Sequence, residues 1–101
     1  MNKDKALQAI GLAMRAKKVI HGEDMVLTAI RSGLAKLVFL ASDTAPSTTK
    51  RITDKSTFYQ VPLVTLFSSD ELSKAIGKEN RKVLALIEPA FVRMIESSLT
   101  E

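Results

Sequence analysis

The sequence predicts an α/β protein, a three-layer α-β-α sandwich around a small mixed sheet of four short strands, and three observations carry that expectation. Two apolar runs, Leu37 to Ala41 and Val83 to Ile87, have the length of strands buried on both faces. Segments with apolar residues at helical spacing lie before, between and after them. The two patterns alternate along the chain, which is how helices come to cover both faces of one sheet.

Leu7, Ile10, Gly11 and Met14 recur at helical spacing, so a first amphipathic helix is expected from about Asp4 to Ala16. Arg15, Lys17 and Lys18 lie at or just past its last turn, where cations suit the helix dipole. A short extended piece, Val19 to Ile20, leads to a sharp turn at Gly22. Glu23 and Asp24 then start a second helix carrying Val26, Leu27, Ile30 and Leu34, which Gly33 can close in a left-handed conformation. Lys36 to Ala41 follows as a strand, broken by Ser42-Asp43-Thr44-Ala45-Pro46.

A third helix is expected from about Ser47 to Tyr59, its inward face resting on Ile52 and Tyr59. Val61 to Phe67 is β-rich, with Pro62 tolerable only near the start. Ser68 and Glu71 have capping-box spacing, which predicts a short fourth helix running to about Ile76 and stopping at Gly77. Lys78 to Lys82 is a polar loop before the strand at Val83 to Ile87. Pro89 opens a last helix whose core stripe is Phe91, Met94, Ile95 and Leu99. Leu7, Ile10, Leu27, Ile30, Val38, Leu40, Leu84, Leu86, Phe91 and Ile95 are expected to be mainly buried.

With 101 residues the chain can build one core, so residues 1–101 are read as a single domain. Hydrophobic residues at 46% and charged residues at 26% give the ordinary globular balance. No apolar run approaches membrane-spanning length, and the N-terminus lacks the continuous apolar block of a secretory signal, so a cytoplasmic protein is expected. The absence of cysteine removes disulfides, thiolate catalysis and cysteine-ligated zinc. A single histidine, His21, has neither carboxylate partners at ligand spacing nor a nucleophile-elbow sequence around it. The four glycines are too dispersed for a phosphate loop or a dinucleotide fingerprint. Neither an enzyme nor a cofactor site is therefore expected. A formal charge of +4 invites an anionic partner, although many small domains carry such an excess on a merely solvated surface.

Two blocks sharpen that expectation. They are Ala16-Lys17-Lys18-Val19-Ile20-His21-Gly22-Glu23-Asp24 and the run from Ala29-Ile30-Arg31-Ser32-Gly33 through Leu37-Val38-Phe39-Leu40-Ala41-Ser42-Asp43. Together with Glu71-Leu72-Ser73-Lys74-Ala75-Ile76-Gly77-Lys78-Glu79, the order resembles the kink-turn-binding ribosomal protein family of the L-seven-Ae and L-thirty-e type, and most closely its small bacterial YlxQ-like members. The resemblance covers nearly the whole chain. It implies an L-thirty-e-like fold and binding of structured RNA such as ribosomal RNA. The glycine-led start of the second helix would enter a sharply bent RNA at tandem sheared G·A pairs, and the loop after the fourth helix would contact the bulge. Helix N-terminal amides and the dipole make such a tip anion-seeking, and Gly22 lets backbone approach RNA closely.

On that resemblance the RNA-binding residues are Arg15, Lys17, Lys18, His21, Gly22, Glu23, Asp24, Met25, Thr28, Ser73, Lys74 and Lys78, with the lysines converging on Gly22 as a phosphate rim. The chain departs from the family pattern at several of them. Asp24 stands where Asn is usual, Met25 where Glu is common, Thr28 where Lys is usual and Ser73 where Gly follows the leucine. An ionised Asp24 cannot donate a hydrogen bond to guanine O6, and capping of the second helix is its expected structural role. In the distal loop Lys78 and Asn80 replace apolar residues, which favours phosphate contacts over packing against a flipped base. The partner expected is thus bent RNA, with no DNA, no membrane and a monomeric protein. The rival is a protein-interaction module on the same fold, because these departures remove RNA-reading groups.

Overall fold

A computed structural model describes all of residues 1–101, as five helices and four strands. The order is α1 (Lys3–Arg15), β1 (Val19–His21), α2 (Glu23–Arg31), β2 (Leu37–Leu40), α3 (Pro46–Phe58), β3 (Leu63–Val64), α4 (Ser69–Ile76), β4 (Val83–Leu86) and α5 (Pro89–Leu99). The strands form one mixed sheet in the order β1-β4-β2-β3. β4 runs antiparallel to both neighbours, and β3 runs parallel to β2.

The strand period of two separates the core into two layers. Leu37, Phe39, Leu84 and Leu86 point to one side, where they pack with Ala6, Ile10, Phe67, Leu72 and Ile95 of the α1, α4 and α5 layer. Val38, Leu40, Val83 and Ala85 point to the other, against Val26, Leu27, Ile30 and Ile52 of α2 and α3. The sheet is therefore covered on both faces, and the three-layer sandwich is the fold. The central strands are buried at every position, as their continuous apolar runs require.

Several local expectations are corrected by packing. The inward face of α1 is made by Ala6, Ala9, Ile10 and Ala13, while Leu7 and Met14 are only partly buried. Small residues let helices approach closely here: a Cβ at Gly11 would lie 3.0 Å from the Ala75 carbonyl oxygen. On α5 the expected stripe is reduced to buried Ile95 with half-buried Phe91 and Leu99, and Met94 faces solvent. α2 ends at Arg31, so Leu34 lies beyond it and is exposed, with Gly33 left-handed at φ +82°.

α3 starts one residue earlier than expected because Pro46 occupies its first position, where a missing N–H costs nothing. Its inward face is Ile52 and Ser56, not Ile52 and Tyr59, since the helix ends at Phe58 and Tyr59 turns outward. Of the run Val61 to Phe67 only Leu63 and Val64 pair, on the sheet edge just after Pro62, and Phe67 folds into the core. α4 keeps its expected limits: the Ser68–Glu71 capping box is complete, and Gly77 closes the helix in the left-handed region.

Candidate functional site

The turn at Gly22 joins β1 to α2. Its φ of +97° is one that L side chains rarely adopt, and no atom lies within 4 Å of where a Cβ would stand. Its N–H donates to the Val83 carbonyl at 3.0 Å, and its carbonyl accepts from the Val26 N–H at 3.0 Å, so the tip is fastened to both β4 and its own helix. Gly22 is also the helix cap, with no side chain to accept from the first-turn amides. Those amides have no intrahelical acceptor and meet the positive end of the dipole at the surface.

This corrects the capping role expected for Glu23 and Asp24. The Glu23 carboxylate turns toward α3, accepting from Thr48 Oγ1 at 2.8 Å and from the Arg51 guanidinium. It ties the start of α2 to α3 while Glu23 still lines the cleft at the tip. Asp24 is exposed and its carboxylate makes no hydrogen bond or ion pair, so only the dipole favours it there. Met25 is exposed beside it, and one turn on the Thr28 hydroxyl donates to the Asp24 carbonyl at 3.1 Å.

The loop between α4 and β4 comes to the same tip because β4 pairs antiparallel with β1. A cleft of about 250 Å³ lies between them, lined among others by Gly22, Thr48, Asn80, Arg81 and Lys82. Ser73 is buried, and its hydroxyl both donates to the Arg81 carbonyl at 3.0 Å and accepts from the Arg81 N–H at 2.8 Å. That hydroxyl is turned to the Arg81 backbone, so Ser73 holds the loop. A glycine in its place would leave both Arg81 backbone groups without this partner. Lys78 lies in the same loop, after Gly77, and its charge is felt at His21.

His21 shares the sheet face of Leu84, and its Nδ1 is enclosed without a hydrogen-bond partner. Partial burial is the main reason its pKa falls below 6.5, and the positive charges of Arg81 and Lys78 lower it further. The imidazole is therefore neutral at pH 7. Lowering the pH below about 6.5 charges the unfolded chain before the folded one, so stability is lost as pH falls through that range. Melts between about pH 7.5 and about pH 5 should show a steeper loss for the wild type than for His21→Gln. Equal slopes would remove His21 as the titrating group.

The other predicted cations do not converge on Gly22. Lys18 and Gly22 stand at opposite ends of β1, whose backbone spans roughly 13 Å between them at ~3.3 Å per residue. The Lys18 carbonyl instead accepts from Ile87 at 3.1 Å. Lys17 adopts φ +61°, and the bonds Lys17 N–H to Met14 and Lys18 N–H to Ala13 close α1 by backbone geometry rather than by the ammonium groups. Arg15 and Lys74 line a separate groove of about 830 Å³ between α1 and α4, and Lys74 pairs with Asp70 at 3.2 Å. Arg81 and Lys82, absent from the sequence-based set, take the place of these lysines beside the tip.

The chain matches known proteins along nearly its full length. Residues 4–92 fit the family described as Ribosomal protein L7Ae/L30e/S12e/Gadd45. A protein of Enterococcus faecium named RNA-binding protein YlxQ is 45% identical over 92 residues, which cover 91% of this chain and 88% of that one. Its namesake in Bacillus subtilis (strain 168) is 43% identical over 90 residues, covering 89% and 90%. Among solved structures, a Bacillus halodurans C protein of unknown function superposes with a TM-score of 0.90 at 35% identity, covering 96% of this chain and 98% of that one. The Giardia lamblia 15.5kD RNA binding protein superposes at 0.83 over 97% and 84%, and at 18% identity it supports the fold alone.

Proposed function

The chain belongs to the Ribosomal protein L7Ae/L30e/S12e/Gadd45 family, and from that premise we propose that residues 1–101 act as one non-enzymatic, monomeric RNA-binding domain in the cytoplasm. Its target is a kink-turn or similarly bent RNA associated with the ribosome or with translation. The relatives named for RNA binding support the coarser half of this reading. One observation carries the finer half: the uncapped, glycine-led N-terminus of α2 stands beside Arg81, Lys82 and Asn80 in a shared cleft.

A sharply bent RNA brings two backbones and exposed purine edges close together, which a regular A-form major groove does not offer. The α2 amides and the left-handed Gly22 meet the bent core, and Lys78, Arg81 and Lys82 hold the phosphates around it. Met25 and Thr28 lie on the exposed first turns of α2 and reach base edges or sugars. Arg15, Lys17, Lys18 and Lys74, at the end of α1 and on α4, meet the phosphates of flanking duplex.

Asp24 is the group that opposes this contact. With no cap to form and no partner to neutralise it, its charge faces the phosphates at the tip. Asp24→Asn should therefore tighten binding of a kink-turn RNA by roughly 3- to 10-fold at fixed salt, while changing the melting temperature little. Weaker binding by the variant would mean that Asp24 accepts hydrogen bonds from the RNA. Absence of kink-turn binding by either protein would overturn the proposal and leave the protein-interaction reading.

A further inference from the structure

We propose a second contact surface, at the end of α2 opposite the tip, that holds unpaired nucleotides of a single strand leaving the bent RNA; this rests on the RNA-binding reading above. Of the large aromatic residues, Phe39 and Phe67 are buried in the core and Phe91 is partly buried against it. Phe58 and Tyr59 are not. They are 76% and 41% exposed, with ring centroids 5.0 Å apart and planes at 75°. Tyr59 borders a cleft of about 410 Å³ that also takes in Arg31, Lys36, Gln60 and Pro62.

No carboxylate lines that cleft. Neither Arg31 nor Lys36 enters an ion pair, since the pairs of this protein use Lys3, Lys5, Lys50, Arg51 and Lys74. A core-forming role does not account for two exposed aromatic rings, and the unpaired cations that share a cleft with Tyr59 suit a polyanion better than an apolar partner. The chemistry is that of a single-strand platform: a ring that stacks on any base, and cations that receive the phosphates between bases. The negative end of the α2 dipole would oppose a phosphate here, but the Lys36 ammonium already donates to the Gly33 carbonyl at 2.9 Å and offsets that field. Exposed Gln60 adds an amide that can bond a base edge.

The spacing also fits. α2 has nine residues, so its two ends lie roughly 14 Å apart at ~1.5 Å per residue, about four stacked nucleotides at ~3.4 Å each. A strand released from the bend at the tip thus reaches the platform within a few nucleotides.

The test uses the full chain and three probes: a blunt kink-turn hairpin, the same hairpin with an oligouridylate tail of about eight nucleotides, and that oligouridylate alone. The tail should tighten binding to the wild type by roughly 10-fold. The double variant Phe58→Ala, Tyr59→Ala should keep the blunt-hairpin affinity and lose the tail's gain, and Tyr59→Phe should keep much of it. A tail without effect on the wild type, or a gain undiminished in the double variant, would overturn the platform. So would sedimentation showing that the wild type dimerises and the double variant does not, because the rings would then be a contact between copies. If the blunt hairpin is not bound at all, the bent-RNA reading fails, and the oligouridylate alone decides the platform by whether its binding needs the two rings.

Discussion

Replacing Arg81 by glutamate is expected to weaken binding of a kink-turn RNA by on the order of 100-fold, the largest effect of any single surface change. Arg81 lines the cleft with Gly22, and its enclosed Nε has no hydrogen-bond partner, so no hydrogen bond within the protein holds that atom. On the proposed reading, truncation alone removes a phosphate contact, and reversal adds repulsion where the two backbones of a bent RNA would converge. The loop should survive the change, because Ser73 binds the backbone N–H and carbonyl of Arg81, which are indifferent to the side chain. His21 supplies an internal check. The positive charge of Arg81 now lowers its pKa, so a carboxylate at that position should raise it, which an NMR titration of the imidazole reads directly. Lys18→Glu, at the far end of β1, should cost only about 3-fold while still flattening the salt dependence by about one counterion. Equal losses for the two reversals would mean that the RNA sits across the end of α1 rather than on the α2 tip.

What was legible in the sequence is what local chemistry decides. Ser68 with Glu71 marks the start of α4, and Gly77 its end, because both signals act within one helical turn. The paired layers of β2 and β4 follow from apolar runs that leave no polar face. Gly22 was identifiable as a turn because only glycine tolerates its φ comfortably. The partners of that turn were not identifiable, because they depend on which strand lies beside β1. Pairing with β4 brings Arg81 and Lys82 to the tip, yet in the sequence they belong to an undistinguished polar loop. The same pairing direction sends Lys18 to the Ile87 end. Glu23 and Asp24 look equivalent as neighbours, and only the arrival of α3 with Thr48 and Arg51 separates a tethered carboxylate from a free one. Tyr59 misled for a related reason: seven residues after Ile52 it belongs on the same helix face, but α3 stops just before it and the ring turns to solvent.

The largest expected loss of stability comes from Phe39→Ala, at about 3–5 kcal/mol. Phe39 is 0% exposed in β2, between β4 and β3, and its ring lies 6.0 Å from that of Phe67 at 58°. Truncation loses the transfer energy of the ring and leaves a cavity that the flanking strands cannot close without breaking their ladder. Against the total of roughly 5–15 kcal/mol typical of such domains, that removes from about a fifth to nearly all of the stability. Phe91→Ala should cost distinctly less, since that ring is only half-buried and a solvent-facing gap fills with water. Urea unfolding of the two variants measures the difference, and equal midpoints would mean that the core does not centre on β2. Phe39 pairs in register with Leu84, whose neighbour Val83 accepts the Gly22 N–H. The cavity therefore lies two links from the tip, and a bound RNA that contacts only the folded state should recover part of the loss. At a concentration 100 times its Kd the gain is about 2.7 kcal/mol. A Phe39→Ala protein whose melting temperature rises with added kink-turn RNA would thus tie the core to the site, and one that unfolds at the same temperature with and without RNA would show that the tip no longer forms.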